Sequence, residues 1–482
     1  MTVYLVGAGP GDPELITVKA RRLLTQATCV LYDNLANHGL LDLAPAEAER
    51  IYVGKKKSAH AMSQEEICAL LIDRARSHEI VVRLKGGDPY IFGRGGEEAE
   101  ALYDAGIPFE VVPGVTSPLG IAAYAGIPLT HRSHTSVVTF VTGHEPERID
   151  WSKVGHAETL VILMGLTSFA EISRLLIENG RSGDTPAAVV RWGTRPDQET
   201  IVGTLASLPR IIEERGMRPP ATFIVGEVVG MREKLNWYER LPLFGKKVVV
   251  TRAREQSAGL VARLHALGAE TIELPAIRVV PLAWSLEGLD SFDWIIFTSV
   301  NGVRHFFDRV DDVRVLRGKI SAIGPATRAA VEALRLRVEL IGEEYVAESL
   351  LTAFGGHAME GKRVLIARAE SARDVLPEGL RQRGALVEVL PVYRTVLPEV
   401  GESVDIAGAD WITFTSSSTV QNTVSLLGVE AVRGIRIASI GPVTSATVRS
   451  LGMEVAVEAV PYTVEGLVSA LAHRMNADDK VS

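Results

Sequence analysis

The strongest constraint on the fold is an internal repeat in the second half of the chain. GKKVVVTRAREQ at Gly245 returns as GKRVLIARAESA at Gly361, and DWIIFTSVNGV at Asp293 returns as DWITFTSSSTV at Asp410. ISAIGPATRAAVEAL at Ile320 returns as IASIGPVTSATVRSL at Ile437. Each offset is about 117 residues, too long for a solenoid unit and the right size for two copies of one α/β domain. In each copy a short apolar run ends in small polar residues or Gly-Pro. The runs at 248–251, 294–298 and 320–323 therefore read as strands whose carboxyl ends carry ligand-binding loops.

The first half shows the same alternation without the repeat. An apolar run at 80–84 ends in KGGDP, where adjacent Gly86 and Gly87 bring bare backbone close to a neighbour and Asp88 adds a carboxylate. Basic Arg83, Lys85 and Arg94 surround that turn. Further strands at 3–6, 29–32, 50–53 and 109–112 end at Gly7, Asp33, Gly54 with Lys55, and Pro113-Gly114. Thr17 is a predicted N-cap, and Ser63 with Glu66 forms a predicted capping box opening a helix to about His78; another helix is expected around 97–104. The loops at Gly7, Asp33, Lys55, Gly86 and Gly114 should thus meet at the carboxyl edge of one mostly parallel sheet, forming a single site. GAGPGDP has the wrong spacing for a dinucleotide fingerprint and lacks its third glycine, which excludes a nicotinamide site of that kind. Strands at 136–142, 159–164, 186–192, 199–205 and 221–226, separated by fewer helices, predict a second lobe, with the pocket between lobes.

Composition narrows the function. A net charge of −8 without a basic segment or helix-turn-helix argues against a nucleic-acid partner, while local basic patches can still take an anionic ligand. Cys29 and Cys68 are the only cysteines and lie in apolar stretches, so neither a disulfide framework nor a metal site is expected. A strand beginning at Val3 leaves no room for a signal peptide, and no apolar run reaches the roughly 18 residues of a membrane span. The expected location is the cytoplasm.

Eight segments taken in order carry a resemblance: VGAGPGDPELIT, LYDNL, VGKK, VRLKGGDPYIFGRGGEE, VPGVTSPLGIAAYAGIPLTHR, VTGH, LMG and WGT. Over roughly residues 1–240 the chain resembles uroporphyrinogen-III C-methyltransferase of the tetrapyrrole methylase family, with lobes of about 1–130 and 131–240. The resemblance implies methylation of uroporphyrinogen III at C2 and C7 with S-adenosylmethionine, giving precorrin-2. It implies cofactor contacts at Pro10, Gly86, Gly87, Asp88, Ile91, Thr116, Ser117, Met164 and Gly193. Asp33 matches the family's proton acceptor and Lys55 its proton donor. A homodimer through this half is also implied. With the methylase motifs starting at residue 1, no dehydrogenase–ferrochelatase domain is expected, and the product should stop at precorrin-2.

The residue chemistry fits that reading. A sulfonium methyl group needs alignment more than activation, which glycine backbone and a dry pocket supply. The substrate carries eight carboxylates, so Arg94, His131 and Arg132, with Lys55 and Lys56, are candidate anchors, arginine being favoured for bidentate pairing. Asp33 can serve as the general base that makes a pyrrole carbon more nucleophilic. Lys56 and Lys57 read more simply as a solvated charge run.

After the segment NWYERLPLF, residues 242–475 resemble uroporphyrinogen-III synthase through VTRAREQ, ELPAI, FTSVNGV, AIGPAT, VYRT, FTSS and SIGPVT. The resemblance implies two lobes joined by two strands, lobe one of about 242–281 plus 395–475 and lobe two of about 282–394. It implies cofactor-free closure of hydroxymethylbilane to uroporphyrinogen III with inversion of ring D. Tyr393 matches the tyrosine considered for assisting loss of the hydroxyl. Thr251, Arg252, Ser299 and Ser416 are candidate binding residues, with Thr298, Thr415, Ser417 and Thr444 beside them; turn and capping chemistry is the competing use of such Ser and Thr residues. The synthase product is the methylase substrate, so the two halves support one another. The alternative is an active methylase joined to a catalytically silent tetrapyrrole-binding or regulatory module.

Overall fold

The computed structural model describes residues 1–54, 62–285, 287–342, 347–396 and 404–478. Contacts divide the chain into one unit of Met1–Lys247, Leu264–Glu270 and Met475–Ser482, and another of Val248–Arg263 and Thr271–Arg474.

The first unit opens with β1 (Thr2–Gly7), β2 (Cys29–Tyr32), β3 (Glu49–Tyr52), β4 (Ile80–Lys85) and β5 (Phe109–Val112), arranged β3-β2-β4-β1-β5. Every pairing in this sheet is parallel, so all the carboxyl ends lie on one edge. Helices cover both faces, as a parallel sheet requires. Val6, Val30, Val82 and Leu84 pack on one side; Val3, Leu5, Leu31 and Val81 pack on the other, against α2 (Gln64–Ser77) and α3 (Gly95–Asp104). Thr17 caps α1 (Val18–Leu24) by accepting from the Ala20 N–H, as expected. At the start of α2, Ser63 Oγ accepts from the Glu66 N–H at 3.2 Å and Glu66 Oε2 accepts from the Ser63 N–H at 2.6 Å. Ser63→Ala removes one side of that reciprocal pair and should lower unfolding stability by about 1 kcal/mol. A denaturant midpoint unmoved by the change would make this cap dispensable.

The second lobe holds β6 (Val138–Thr142), β7 (Thr159–Leu163), β8 (Pro186–Arg191), β9 (Glu199–Thr204) and β10 (Ala221–Val225), ordered β6-β7-β10-β8-β9. Only the β6–β7 pairing is parallel; the other three are antiparallel. The lobes share a core. Ile121, Ala122 and Ala125 of α4 (Ser117–Ala125) pack with Val161, Ala188, Val190 and Ile224 of the second sheet.

The second unit contains two sheets. The first runs β12-β11-β19-β20-β21, from β11 (Lys247–Val250), β12 (Glu270–Glu273), β19 (Trp411–Phe414), β20 (Arg436–Ser439) and β21 (Val457–Glu458). The other runs β13-β18-β17-β14-β15-β16, from β13 (Arg278–Pro281), β14 (Trp294–Phe297), β15 (Lys319–Ala322), β16 (Val338–Ile341), β17 (Arg363–Ala369) and β18 (Leu386–Val396). Here β13 and β18 form the antiparallel pair, while β18-β17-β14-β15-β16 are parallel.

The two sequence copies are interleaved and do not fold as separate domains. Strand β11 of the first copy pairs with β19 of the second, Val249 opposite Ile412. Strand β17 of the second copy pairs with β14 of the first, Leu365 opposite Ile295. These two pairings are the same pairing under the repeat, so each sheet is completed by a strand from the other copy. Among the described residues no helix is long and apolar enough to cross a membrane.

Candidate active site

Three glycines at strand ends build the centre of the first unit's site. A Cβ on Gly7 would lie 2.5 Å from Gly114 N and 2.7 Å from Gly87 O, and one on Gly114 would lie 2.3 Å from Gly87 O. Any side chain at Gly7 or Gly114 would push apart loops that backbone contacts hold together. Gly87 and Gly9 exchange backbone bonds, the Gly87 N–H donating to Gly9 O at 2.7 Å and the Gly9 N–H to Gly87 O at 3.2 Å.

Beside this cradle lies a cleft of about 460 Å³. Pro10, Asp33, Gly86, Gly87, Ile91 and Arg94 line it from the first lobe, with Ser117 of α4; Met164 and Gly193 line it from the second. Backbone strain is concentrated there. Phe92, Arg94, Met164 and Trp192 line the cleft and are non-glycine residues with positive φ, as is Thr194 next to Gly193; Arg335 is the other such residue among those described. Strain of this kind persists where surrounding packing over-determines it, and it clusters at functional sites.

Several predicted residues stand elsewhere. The Asp88 carboxylate does not line the cleft: Oδ1 accepts from the Tyr90 N–H at 2.8 Å and Oδ2 from the Gly114 N–H at 3.0 Å, so it holds the turn together. Thr116 is the N-cap residue of α4 and leaves the lining position to Ser117. His131 and Arg132 lie on a turn closed by a His131–Thr135 bridge, outside the cleft lining. Lys55 and Lys56 fall outside the described residues.

Beneath Asp33 the structure adds a buried charge cluster. Asp33 Oδ1 accepts from the Leu35 N–H at 3.0 Å, and Oδ2 accepts from Arg83 Nη2 at 3.0 Å. The same guanidinium donates through Nη1 to Leu84 O at 3.0 Å and through Nε to Glu98 Oε1 at 3.2 Å. Lys85 Nζ donates to that Glu98 oxygen at 2.8 Å, and Gln64 Nε2 donates to it at 3.2 Å. Arg83 is 3% exposed, Lys85 5% and Glu98 0%, whereas the Asp33 side chain keeps 23%. Burial, then the neighbouring Arg83, push the Lys85 ammonium below the usual lysine range, and Glu98 opposes them. The signal for this cluster was Arg83 and Lys85 sharing one face of a buried apolar strand, where a charge must be paired.

At the opposite, amino edge of the sheet, Cys29, Glu49 and His78 come together. Arg74 Nε and His78 Nε2 both lie 3.0 Å from Glu49 Oε2, and burial pushes the Cys29 thiol up to about 12.

In the second unit Ser299 and Tyr393 are brought together from β18 and the loop after β14, their hydroxyl oxygens 3.0 Å apart. Tyr393 is buried, which raises its phenol above the usual range, while the Ser299 contact opposes the rise. Arg252 Nε donates to Gln256 Oε1 at 3.3 Å, and Gln256 Nε2 donates to Asn301 Oδ1 at 2.5 Å, joining the loop after β11 to the helix after β14. Thr251 and Ser416 make local structural bonds: Thr251 Oγ1 donates to Thr413 O at 2.8 Å, and Ser416 caps Ser417–Leu427 by accepting from the Thr419 N–H at 3.2 Å. Ser299 makes the equivalent cap, accepting from the Gly302 N–H at 2.9 Å.

A parallel sheet with a glycine cradle and charged cleft, followed by interleaved α/β sheets, defines a two-part α/β protein with a ligand cleft in its first part. Residues 2–209 match the model of the tetrapyrrole (corrin/porphyrin) methylases, and residues 258–469 that of uroporphyrinogen-III synthase HemD. A porphyrin biosynthesis protein HemD of Ruminiclostridium josui is 37% identical over 490 residues, covering 97% of this chain and 97% of that protein. The chain belongs to this family of tetrapyrrole methylases fused to a uroporphyrinogen-III synthase domain, enzymes of tetrapyrrole biosynthesis. A siroheme synthase of Chromobacterium violaceum is 52% identical over 242 residues, covering 49% of this chain and 52% of that protein. The solved uroporphyrin-III C-methyltransferase of Thermus thermophilus, complexed with S-adenosylhomocysteine, is 45% identical, covering 48% of this chain and 99% of that chain with a TM-score of 0.42.

Proposed function

We propose that this chain closes hydroxymethylbilane to uroporphyrinogen III with inversion of ring D, and methylates that product at C2 and C7 with S-adenosylmethionine to give precorrin-2. The observation that carries the methylase reading is the Gly7–Gly87–Gly114 cradle beside a cleft that holds the half-buried Asp33 carboxylate. Pro10, Gly86, Gly87, Ile91, Ser117, Met164 and Gly193 would hold the cofactor, which supplies an electrophilic methyl group when bound. The chain's own work is orientation, exclusion of water and proton handling. Asp33, fixed by the Leu35 N–H and Arg83, accepts the proton that the tetrapyrrole loses as its carbon gains a methyl group. Arg94, whose side chain is 59% exposed, offers a cation at the cleft to substrate carboxylates.

In the synthase unit the buried Tyr393 phenol donates a hydrogen bond to the departing hydroxyl. Ser299 orients it. The cation that remains is steered by a shaped pocket in place of a cofactor.

Two assays test the reading. Uroporphyrinogen III with S-adenosylmethionine should yield precorrin-2, and absence of methyl transfer would overturn the methylase half. Hydroxymethylbilane alone should yield isomer III, with Tyr393→Phe slowing its formation about tenfold, the scale of one lost hydrogen bond of about 1.4 kcal/mol, and leaving methylation of added uroporphyrinogen III intact. Isomer I as the sole product of the unmodified protein would leave the second half without catalysis.

A further inference from the structure

Two carboxylates and two cations form a closed set at the cleft wall: Asp33 and Glu98 against Arg83 and Lys85. The set is neutral while Asp33 is ionised. Glu98 lies behind the cleft wall, fully buried, and one of its oxygens takes three donors, from Gln64, Arg83 and Lys85. Its other oxygen has no partner among the described residues.

Stability alone gives no reason for this arrangement. A buried ion cluster replaced by apolar groups of similar volume is often neutral or stabilising, and the rest of β4 is already valine, isoleucine and leucine. A reaction at Asp33 does give a reason. Each proton taken up there leaves surplus positive charge in a buried place. With the Glu98 charge removed, Arg83 and Lys85 would stand uncompensated beside Asp33 before any proton arrived, and the carboxylate would be the poorer acceptor. Arg83 would also be held at its Nε edge by a neutral acceptor in place of a carboxylate.

We propose that Glu98 is a positioning residue for methylation: it anchors Arg83 and balances the two buried cations, so that Asp33 is both held in place and able to accept a proton. The proposal rests on Asp33 acting as the base, and its test separates the two claims. Asp33→Asn, Glu98→Gln and the double variant Lys85→Met/Glu98→Gln are compared in full-length protein. The readouts are kcat, KM for uroporphyrinogen III and the calorimetric Kd for S-adenosylhomocysteine. E98Q should lower kcat about tenfold, with KM and Kd within about twofold, because the lost interaction acts when the proton moves. Removing Lys85 as well restores charge balance, so the double variant should recover to within about threefold of the unmodified enzyme, against the additive loss of independent sites. An unchanged kcat in E98Q, or a double variant slower than E98Q, would overturn the role of Glu98. If E98Q fails to bind S-adenosylhomocysteine, the double variant decides alone, and a hundredfold loss there overturns the proposal. An unchanged rate in D33N would instead remove the base on which it stands.

Discussion

Calorimetry of the Gly87→Leu variant should detect no binding of S-adenosylhomocysteine, a loss of at least about a hundredfold, each tenfold step being about 1.4 kcal/mol. Two effects act together. Gly87 has φ +69°, where an L-residue costs roughly 1–2 kcal/mol. A Cβ there would also stand 3.2 Å from Ser117 Oγ and 3.3 Å from Ser117 N, tighter than about nine in ten real Cβ contacts, so Ser117 would have to give way. The leucine branch beyond that atom adds bulk at the wall of the cleft that Gly87 and Ser117 line. Gly87→Ala separates the two causes, since it carries the strain with little of the bulk, and its affinity should fall between the unmodified and leucine variants. A cooperative thermal transition of the first unit, close to that of the unmodified protein, reports that the unit carrying the substitution has folded. Near-normal affinity in Gly87→Leu would take this turn out of the cofactor site.

What the sequence revealed was the part encoded locally. The Ser63–Glu66 capping box and the Thr17 cap are made within three residues, so their spacing alone specified them. Strands ending in glycine or a carboxylate located the cleft because a parallel sheet must bring such ends to one edge. Long-range partners were less visible. Asp88 was read as a cofactor contact; the structure adds that its carboxylate also accepts from the Gly114 N–H 26 residues away, a pairing no local pattern announces. Arg83 and Glu98 meet across a strand–turn–helix unit, and their roles emerge only when the burial of both is known. His131 and Arg132 had the right chemistry for carboxylates but sit on their own closed turn. The repeat disclosed two copies, while the exchange of strands between them required the pairing of β11 with β19 and of β17 with β14. The positive φ values of Met164 and Trp192 were hidden for a related reason, since neither residue type advertises that conformation.

Asp33→Asn should lower the methylation rate about a hundredfold or more, the usual scale for loss of a positioned general base, while S-adenosylhomocysteine affinity stays within about twofold. The substitution is close to isosteric, and only one of the two donors facing Asp33 loses its acceptor. The amide oxygen can accept either from the Leu35 N–H or from Arg83, leaving its NH₂ group against the other. A modest loss of stability follows from that mismatch, so the thermal midpoint belongs beside the kinetics. The decisive comparison is kcat against KM for uroporphyrinogen III. An interaction made only as the proton moves lowers kcat and kcat/KM together, whereas a lost binding contact raises KM. A fall in kcat at constant KM makes Asp33 the acceptor. A rise in KM alone makes it a contact for the tetrapyrrole, and an unchanged turnover makes it a strand-end residue whose carboxylate serves only to close the Leu35 turn and hold Arg83.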